Sequence, residues 1–479
     1  MKIKRLVLLK GLVCLRKSGV LLYLYGFFML IAGIVCIVLT PPFQVADEFN
    51  HFMRAIQISK GHIVGIRRDP LTAGGILPSS LINMGQSFNY LKFSPDNKVD
   101  LVGLSDAYMT PWSQQTEFVG YANTVFYPPS SYAGVVLGVW CGHALGMRPL
   151  ATLYICRAIN GLICFGLVMI ALVLAGPVAP FLAIMLALPM SISLMASTSQ
   201  DGILLALSAL VCAILGRCFN KKDERITKTL ILLSGVLLAC IAAAKMPYAP
   251  LLFLPLCLMV RRGVSVLWPV ISCCVGWLLF IGWAILGIRP SITKLAPIGA
   301  SSCDQLVFVL HHPLRMVITV VEFVLSSFRQ LLQEAIGVLG WLDTFFSPTF
   351  YYIAEICLTV CFWAMFYSVV RKPQKKNIIY AACVLFLLFA SGTGIILALY
   401  VNWTPVAATH IDGVQGRYFL PLMLFLPIIV PLFAHQNSDK KNITHRRQGI
   451  VLIAQMIACG FMVFSTFSLY TNLSMRFWP

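Results

Sequence analysis

The sequence predicts an all-α fold, a polytopic transmembrane helical bundle. Of the 479 residues, 59% are apolar and only 11% are charged, less than half of the roughly 25% that soluble domains carry. The apolar residues form continuous runs of about 20 residues, as membrane-crossing helices do, and do not alternate as in a membrane β-barrel. A soluble enzyme, a nucleic-acid-binding domain and a disordered chain are therefore excluded.

The distribution of charge predicts the orientation of the chain. Lys and Arg number 36 and Asp and Glu number 17, a net charge of +19. Basic residues concentrate in cytoplasmic loops of membrane proteins. Residues 1–17 carry six basic side chains and no acid, so we expect a cytoplasmic, basic N-terminus. Further basic loops are predicted on the same side of the membrane, at 217–228, 261–262, 371–376 and 435–448.

The apolar pattern predicts about eleven membrane spans plus two interfacial helices. The first span, 18–40, ends at Pro41 and Pro42, since proline interrupts a helix. The others are expected at 152–175, 178–199, 202–217, 229–247, 249–260, 264–287, 350–370, 377–401, 418–435 and 449–471. Counting the apolar stretches 130–147 and 316–336 as spans would divide the basic loops between the two sides. Both are therefore predicted to be interfacial or re-entrant.

These spans divide the chain into three membrane regions after the basic N-terminus. The first is a transmembrane module, 18–287, which carries a long outer loop at 43–130. The second is an outer loop, 288–349, with an interfacial or re-entrant helix, and the third is the C-terminal set of transmembrane helices, 350–479. Most acidic residues lie outside the basic loops. We therefore expect the protein in a bacterial inner membrane, with any chemistry on its periplasmic or exterior face.

A cluster of charged residues begins the long outer loop. On a helix, Asp47, His51 and Arg54 would lie on one face at spacings of four and three, with Glu48 beside them and apolar residues opposite. The cluster could be a surface network at a helix N-terminus, where acids offset the helix dipole, or part of a functional site. Asp47, Glu48 and His51 could hold a divalent cation, but three ligands from a single short helix fit poorly around one ion.

Four further charges lie at the predicted outer ends of apolar runs: Arg157, Asp201, Lys245 and Arg417. A charge inside the hydrocarbon costs about 2.5–3.5 kcal/mol on insertion scales, so it usually faces a cavity or a partner. Snorkelling of the basic side chains to lipid headgroups is the alternative. Because all four are expected on the same side as Asp47, we predict a shared polar cavity.

Two weaker candidates lie in the outer loops. Tyr127 precedes Pro128 and Pro129, which could simply be a rigid turn. Asp343 follows Trp341 and Leu342 and could be an acid of the cavity, or a solvated acid beside an aromatic residue of the membrane interface.

Together, these motifs resemble a bacterial membrane family, domain of unknown function 2142. The resemblance covers nearly the whole chain and rests on Pro-Pro before Asp47-Glu48, Tyr127-Pro-Pro, Ser199-Gln-Asp201, Ala244-Lys245-Met-Pro-Tyr, Gly337-Val-Leu-Gly-Trp-Leu-Asp343 and Gln415-Gly-Arg417-Tyr-Phe-Leu-Pro. That family in turn is similar to the GT-C superfamily, whose members transfer sugars from polyprenyl phosphates.

The resemblance implies a GT-C-like fold and a glycosyltransferase activity. In such an enzyme Asp47 would be the catalytic acid of the first loop, with Glu48 and Asp201 as further catalytic acids. The substrates would be a polyprenyl-phosphate-linked sugar donor and a glycan or lipid acceptor at the cell surface. They would be bound by His51, Arg54, Tyr127, Arg157, Lys245, Asp343 and Arg417. Metal dependence stays open, because GT-C enzymes differ in it.

Two alternatives remain from the sequence. A transporter or flippase of lipid-linked sugars would use the same basic residues, but such proteins usually contain inverted repeats and charges at mid-membrane, which this sequence does not. A non-catalytic GT-C scaffold would bind lipid-linked sugars without transfer, and the presence of Asp47 argues against it.

Overall fold

The computed structural model describes residues 2–220, 224–260, 265–293, 299–369, 375–432 and 441–479. It describes side chains for residues 19–218, 227–259, 265–293, 299–367, 377–430 and 449–479. The predicted basic loop at 261–262 lies outside the described residues. So do parts of the three other predicted basic loops, namely 221–223, 371–374 and 435–440.

The described part of the chain is mostly helical, which confirms the predicted all-α polytopic class. Nine of its helical segments are long and apolar enough to cross a membrane. The longer α-helices, numbered in chain order with the short ones, are α1 Lys2–Leu39, α2 Glu48–Ser59, α3 Ser80–Gln86, α4 Leu101–Met109, α5 Ala133–Ala144, α6 Pro149–Ala175, α7 Ala179–Leu186, α8 Pro189–Met195, α9 Gln200–Asn220, α10 Glu224–Ala244, α11 Leu267–Trp283, α12 Arg289–Ser291, α13 Ser302–His311, α14 Pro313–Gly337, α15 Pro348–Val369, α16 Lys375–Asn402, α17 Leu420–Met423, α18 Ile429–Leu432 and α19 Lys441–Phe477.

Shorter helical turns connect these elements. A π-helical turn, Ala284–Ile288, continues α11, and 3-10 helices are found at Asn89–Leu91, Pro129–Tyr132, Gly176–Val178, Met246–Val260, Gly416–Phe419 and Leu426–Ile428.

Eight of the nine long apolar segments contain a predicted span, and the ninth is α14. Three predicted spans take another form, and proline is the cause. The 178–199 stretch is interrupted before Pro189, where Leu188 is extended, because proline disfavours helical backbone in the residue before it. The 249–260 stretch is part of a 3-10 helix with Pro250 and Pro255 inside it. The described part of the 418–435 stretch, residues 418–432, is divided into short α and 3-10 turns.

The two stretches predicted to be interfacial differ in length. The 130–147 stretch forms α5, which has 12 residues, too few to cross a bilayer. It packs between α2 and α6. The 316–336 stretch forms α14, which has 25 residues and could cross by length and composition. Its interfacial position therefore stays a prediction at this point.

The long loop folds onto one end of the bundle, which we call the loop end. Helix α2 follows α1 directly, and a three-stranded antiparallel sheet covers it, with strand order β1 Ile66–Arg67, β2 Ala73–Pro78 and β3 Thr116–Gly120. At Gly74 a Cβ atom would lie 1.8 Å from the carbonyl oxygen of Val119, so only glycine allows β2 to approach β3 this closely. These short strands are not predicted, because their apolar residues are too few to form a pattern.

A second small hairpin lies at the same end. Strand β4, Val338–Leu339, follows α14 and pairs antiparallel with β5, Thr344–Phe345. The buried apolar core is continuous from the long loop through the bundle. The tips of α1, α6, α9, α10 and α19, the two hairpin strands and residue 416 therefore all lie around the loop end.

Candidate functional site

Asp47 lies at the loop end, immediately before α2. Its backbone is left-handed, with a φ of 64°, a conformation that Asp and Asn adopt more readily than most residues. Its side chain makes no capping hydrogen bond to α2. The carboxylate is therefore turned toward the bundle, and its side chain remains 32% exposed.

The adjacent Glu48 is completely buried and paired with Arg157 of α6. Nε and Nη2 of Arg157 lie 2.8 and 2.5 Å from the two carboxylate oxygens. The same oxygens accept hydrogen bonds from the backbone N–H groups of Phe43 and Thr198. Each carboxylate oxygen of Glu48 thus accepts two hydrogen bonds, and the buried carboxylate is not accessible to a substrate.

Arg157 also binds the end of α1. Its guanidinium donates to the carbonyl oxygens of Ile37, Thr40 and Pro41 at 2.7–3.1 Å. The last carbonyls of a helix have no partners within the helix, so Arg157 satisfies them while it neutralises Glu48. This geometry favours a structural role for both residues: they fix the turn that presents Asp47.

Asp47 itself forms an ion pair with Arg417. Nη2 of Arg417 is 2.9 Å from Oδ2 of Asp47, and Asn123 donates to Oδ1 at 3.1 Å. The Arg417 side chain is only 5% exposed. Its Nε has no hydrogen-bond partner among the described residues, and its Nη1 is 3.5 Å from the carbonyl oxygen of Ala46. Arg417 therefore keeps donor capacity that the protein does not use.

A second ion pair lies beside the first. Nζ of Lys245, just after α10, is 2.7 Å from Oδ1 of Asp201 in the first turn of α9. The same Nζ lies 4.3 Å from the ring centre of Tyr418, the residue next to Arg417. Two carboxylates and two cations from four separate elements are thus brought together around one polar space.

His51 lies on the inner side of this space. Its Nδ1 is 2.7 Å from the Tyr132 hydroxyl and its Nε2 is 3.5 Å from the Ser199 hydroxyl. Burial lowers the pKa of His51 to about 4. The charges of Asp47 and Asp201 oppose that shift, and those of Arg417 and Lys245 add to it. His51 is therefore neutral at physiological pH although it is surrounded by four charges.

Arg54 and Tyr127 are joined to each other. The buried guanidinium of Arg54 donates through Nε and Nη2 to the Tyr127 carbonyl oxygen, at 3.3 and 2.9 Å, and through Nη2 to that of Ile63 at 2.6 Å. Arg54 therefore holds the end of the long loop, away from the polar space. The Tyr127 ring stacks on His51 with ring centres 6.0 Å apart, so its side chain borders the space.

Asp343 is not part of the polar cluster. Its Oδ2 pairs with Nη2 of Arg476 near the end of α19 at 3.0 Å, and its Oδ1 accepts from Thr344. Arg476 in turn donates to the carbonyl oxygens of Leu91 and Asn97 in the long loop. Asp343 therefore joins the β4–β5 hairpin to the C-terminal helix, and Arg476 joins that helix to the long loop.

A small cleft adjoins Arg417. Its apolar lining comes from the start of the long loop, from α8 and from the β4–β5 hairpin, and its polar lining includes Gln415. The lining residues are Val45, Ala46, Met190, Ser193, Leu194, Val338, Leu339, Gly340, Leu342, Gln415 and Arg417. An arginine side chain and several apolar side chains thus border the same cleft.

Several residues around the polar space are not among the sequence-predicted candidates. Ser199 and Tyr418 lie within the quoted motifs, so their positions next to Asp201 and Arg417 were a usable signal. Asn123 and Tyr132 reach Asp47 and His51 through the fold of the long loop, and the sequence carries no signal for them.

The residues near Asp47 do not fit a metal ion. Within the described residues, no group of three or more His, Cys, Asp or Glu side chains is placed to hold one. Glu48 is saturated by Arg157, and the carboxylates of Asp47 and Asp201 are each paired with a cation.

A family model described as "Predicted membrane protein (DUF2142)" matches residues 30–426. No curated protein matches the chain.

Proposed function

Since the chain belongs to the DUF2142 family of predicted membrane proteins, we propose that it is a glycosyltransferase of the GT-C type. It lies in the bacterial inner membrane with its loop end on the periplasmic side. There it transfers a sugar from a polyprenyl-phosphate donor to a glycan or lipid acceptor of the cell envelope.

The observation that carries this proposal is the contrast between Asp47 and Glu48. Glu48 is buried and saturated, whereas Asp47 is partly exposed and is held by one cation and one amide. A general base must be ionised and within reach of substrate. The partial exposure of Asp47 leaves room for an acceptor hydroxyl beside its carboxylate.

The two cations match the other requirement of the reaction. As the acceptor oxygen attacks the anomeric carbon of the donor sugar, the bond from that carbon to the phosphate oxygen breaks. The phosphate leaves with the electron pair, and Asp47 takes the proton of the acceptor hydroxyl. Fixed positive charge at the developing anion is often the largest contribution to catalysis. Arg417, with its unused donors, and Lys245 supply that charge.

The test is reconstitution of the wild-type protein in proteoliposomes with polyprenyl-phosphate sugars. If the protein transfers the sugar, free polyprenyl phosphate and glycosylated acceptor should appear in equal amounts, and only when both substrates are present. Intact donor after prolonged incubation with every envelope acceptor supplied would argue against the enzyme.

A transporter of the same lipid-linked sugars is the second candidate, because interrupted helices are typical of transporter binding sites. Helices α7 and α8 are separated at Pro189, and the segment after residue 416 is divided by prolines. Movement of intact donor from one leaflet to the other in the same proteoliposomes, without release of polyprenyl phosphate, would favour it. The four charges at one end of the bundle favour the enzyme.

A further inference from the structure

Helix α14 has an unusual exposure pattern. Only 6% of its most apolar stretch of 18 residues is buried inside the protein. Leu314, Val321 and Phe328, seven residues apart, are 72%, 50% and 62% exposed, so one side of the helix is apolar and is not covered by any described part of the chain. Arg315 and Glu322 are also exposed, and they lie on another side of the helix.

The contacts of α14 run along the loop end. In its first half, Met316, Val320 and Phe323 pack against a small apolar cluster. This cluster is formed by Ile396 and Tyr400, in the last two turns of α16, and by Ile411. Further along, Nη1 of Arg329 is 2.6 Å from Oε1 of Glu355. Glu355 lies seven residues after the first residue of α15, which is about 10 Å along the helix at 1.5 Å per residue. A helix that crossed the membrane would contact its neighbours at progressively deeper levels. Helix α14 instead contacts α16 and α15 within about 10 Å of their ends at the loop end.

The last turn of α14 contacts the residue before Arg417. Oε2 of the buried Glu334 accepts the backbone N–H of Gly416 at 2.7 Å, and Gln330 donates to Oε1 at 2.8 Å. A Cβ atom on Gly416 would lie 2.0 Å from the carbonyl oxygen of Leu331. Only glycine can approach the helix this closely, so the backbone that leads into Arg417 is fixed by α14.

We propose that α14 lies flat on the lipid surface at the loop end and that Glu334, in its last turn, is a positioning residue for Arg417. A helix with one apolar face and one charged face binds in the plane of the membrane interface. The site cation that pairs with Asp47 would then be held by an element whose own position is set by the bilayer. The proposal rests on the proposed function only for what Arg417 does to a substrate.

The position of α14 is tested by depth measurement. An environment-sensitive fluorescent amino acid is placed in turn at Leu314, Val321 and Phe328 in protein reconstituted in phosphatidylcholine–phosphatidylglycerol nanodiscs. Lipids brominated near the headgroup or near the chain end quench it. If α14 lies flat, all three positions should have the same shallow depth in the bilayer. Progressive depth, with the middle position near the bilayer centre, would overturn the proposal.

The role of Glu334 is tested by hydrogen exchange of the Gly416 amide in the same nanodiscs. Glu334→Ala removes a charged acceptor, so exchange should become about ten- to a hundredfold faster. Glu334→Gln keeps an acceptor oxygen and should restore most of the protection. Glu322→Ala, which removes an exposed glutamate of the same helix, is the matched control and should leave exchange unchanged.

Transfer assays separate this proposal from the proposed function. If wild-type protein transfers sugar, Glu334→Ala should lose activity and Glu334→Gln should regain it. If wild-type protein shows no transfer, only the proposed function fails, because depth and exchange still decide the position of α14. Unchanged Gly416 exchange in folded Glu334→Ala protein would overturn the positioning role.

Discussion

Asp47 and Arg417 are 370 residues apart in sequence, yet Oδ2 of one lies 2.9 Å from Nη2 of the other. The pair joins the beginning of the long loop to the segment that follows α16. It stands beside a second pair, Asp201 with Lys245. Distant parts of the chain therefore share one charged space.

The first prediction concerns anion binding by Arg417. Arg417→Ala should weaken binding of farnesyl phosphate, a short isoprenoid phosphate used as the probe, by about ten- to a hundredfold, since a hydrogen bond to a charged group is worth about 1.5–3 kcal/mol. Calorimetry on nanodisc-embedded protein measures this. Arg68→Ala, which removes an exposed arginine of the long loop, is the control and should bind like wild type. Equal affinity of both variants would remove Arg417 from phosphate recognition.

The second prediction separates Glu48 from Asp47. Glu48→Gln leaves Arg157 buried without a counter-charge, and loss of one partner of a buried pair costs about 3–5 kcal/mol. The midpoint of thermal unfolding in detergent should therefore fall sharply. Asp47→Asn, at a partly exposed position, should lower it much less. A stable Glu48→Gln protein that has lost transfer activity would instead make Glu48 a catalytic group.

The third prediction follows from the pKa of His51. Burial lowers this pKa from 6.5 to about 4, so between those values the unfolded chain binds a proton that the folded protein does not. Stability must then fall as pH falls from 6.5 toward 4, by up to roughly 3 kcal/mol from this residue. Unfolding midpoints at pH 7.5 and pH 4.5 measure the effect. His51→Gln should flatten the difference between them, and an identical pH dependence in the variant would refute the assignment.

Some of this architecture could be predicted from sequence, because apolar runs of bilayer length specify helices whatever surrounds them. Proline positions, read correctly, also indicate where the 178–199 and 249–260 stretches depart from continuous helices. Asp201, Lys245 and Arg417, at the ends of apolar runs, could be found because placing a charge at the edge of the membrane hydrocarbon costs free energy.

The roles of two adjacent acids could not be predicted in this way. Asp47 and Glu48 have the same chemistry and the same local sequence. They differ because Arg157, 109 residues from Glu48, reaches only one of them. Likewise, the contact between Glu334 and Gly416 depends on the packing of two distant segments, for which no local pattern exists.

Asp47 is the proposed base that activates the acceptor. Asp47→Asn keeps the shape of the side chain and removes its basicity, and Asp106→Asn, at an exposed acid of the same loop, is the matched control. Single-turnover transfer from a polyprenyl-phosphate sugar should fall by about 10²–10⁴-fold in the first variant and stay unchanged in the second. Wild-type transfer rates in folded Asp47→Asn protein would contradict the account.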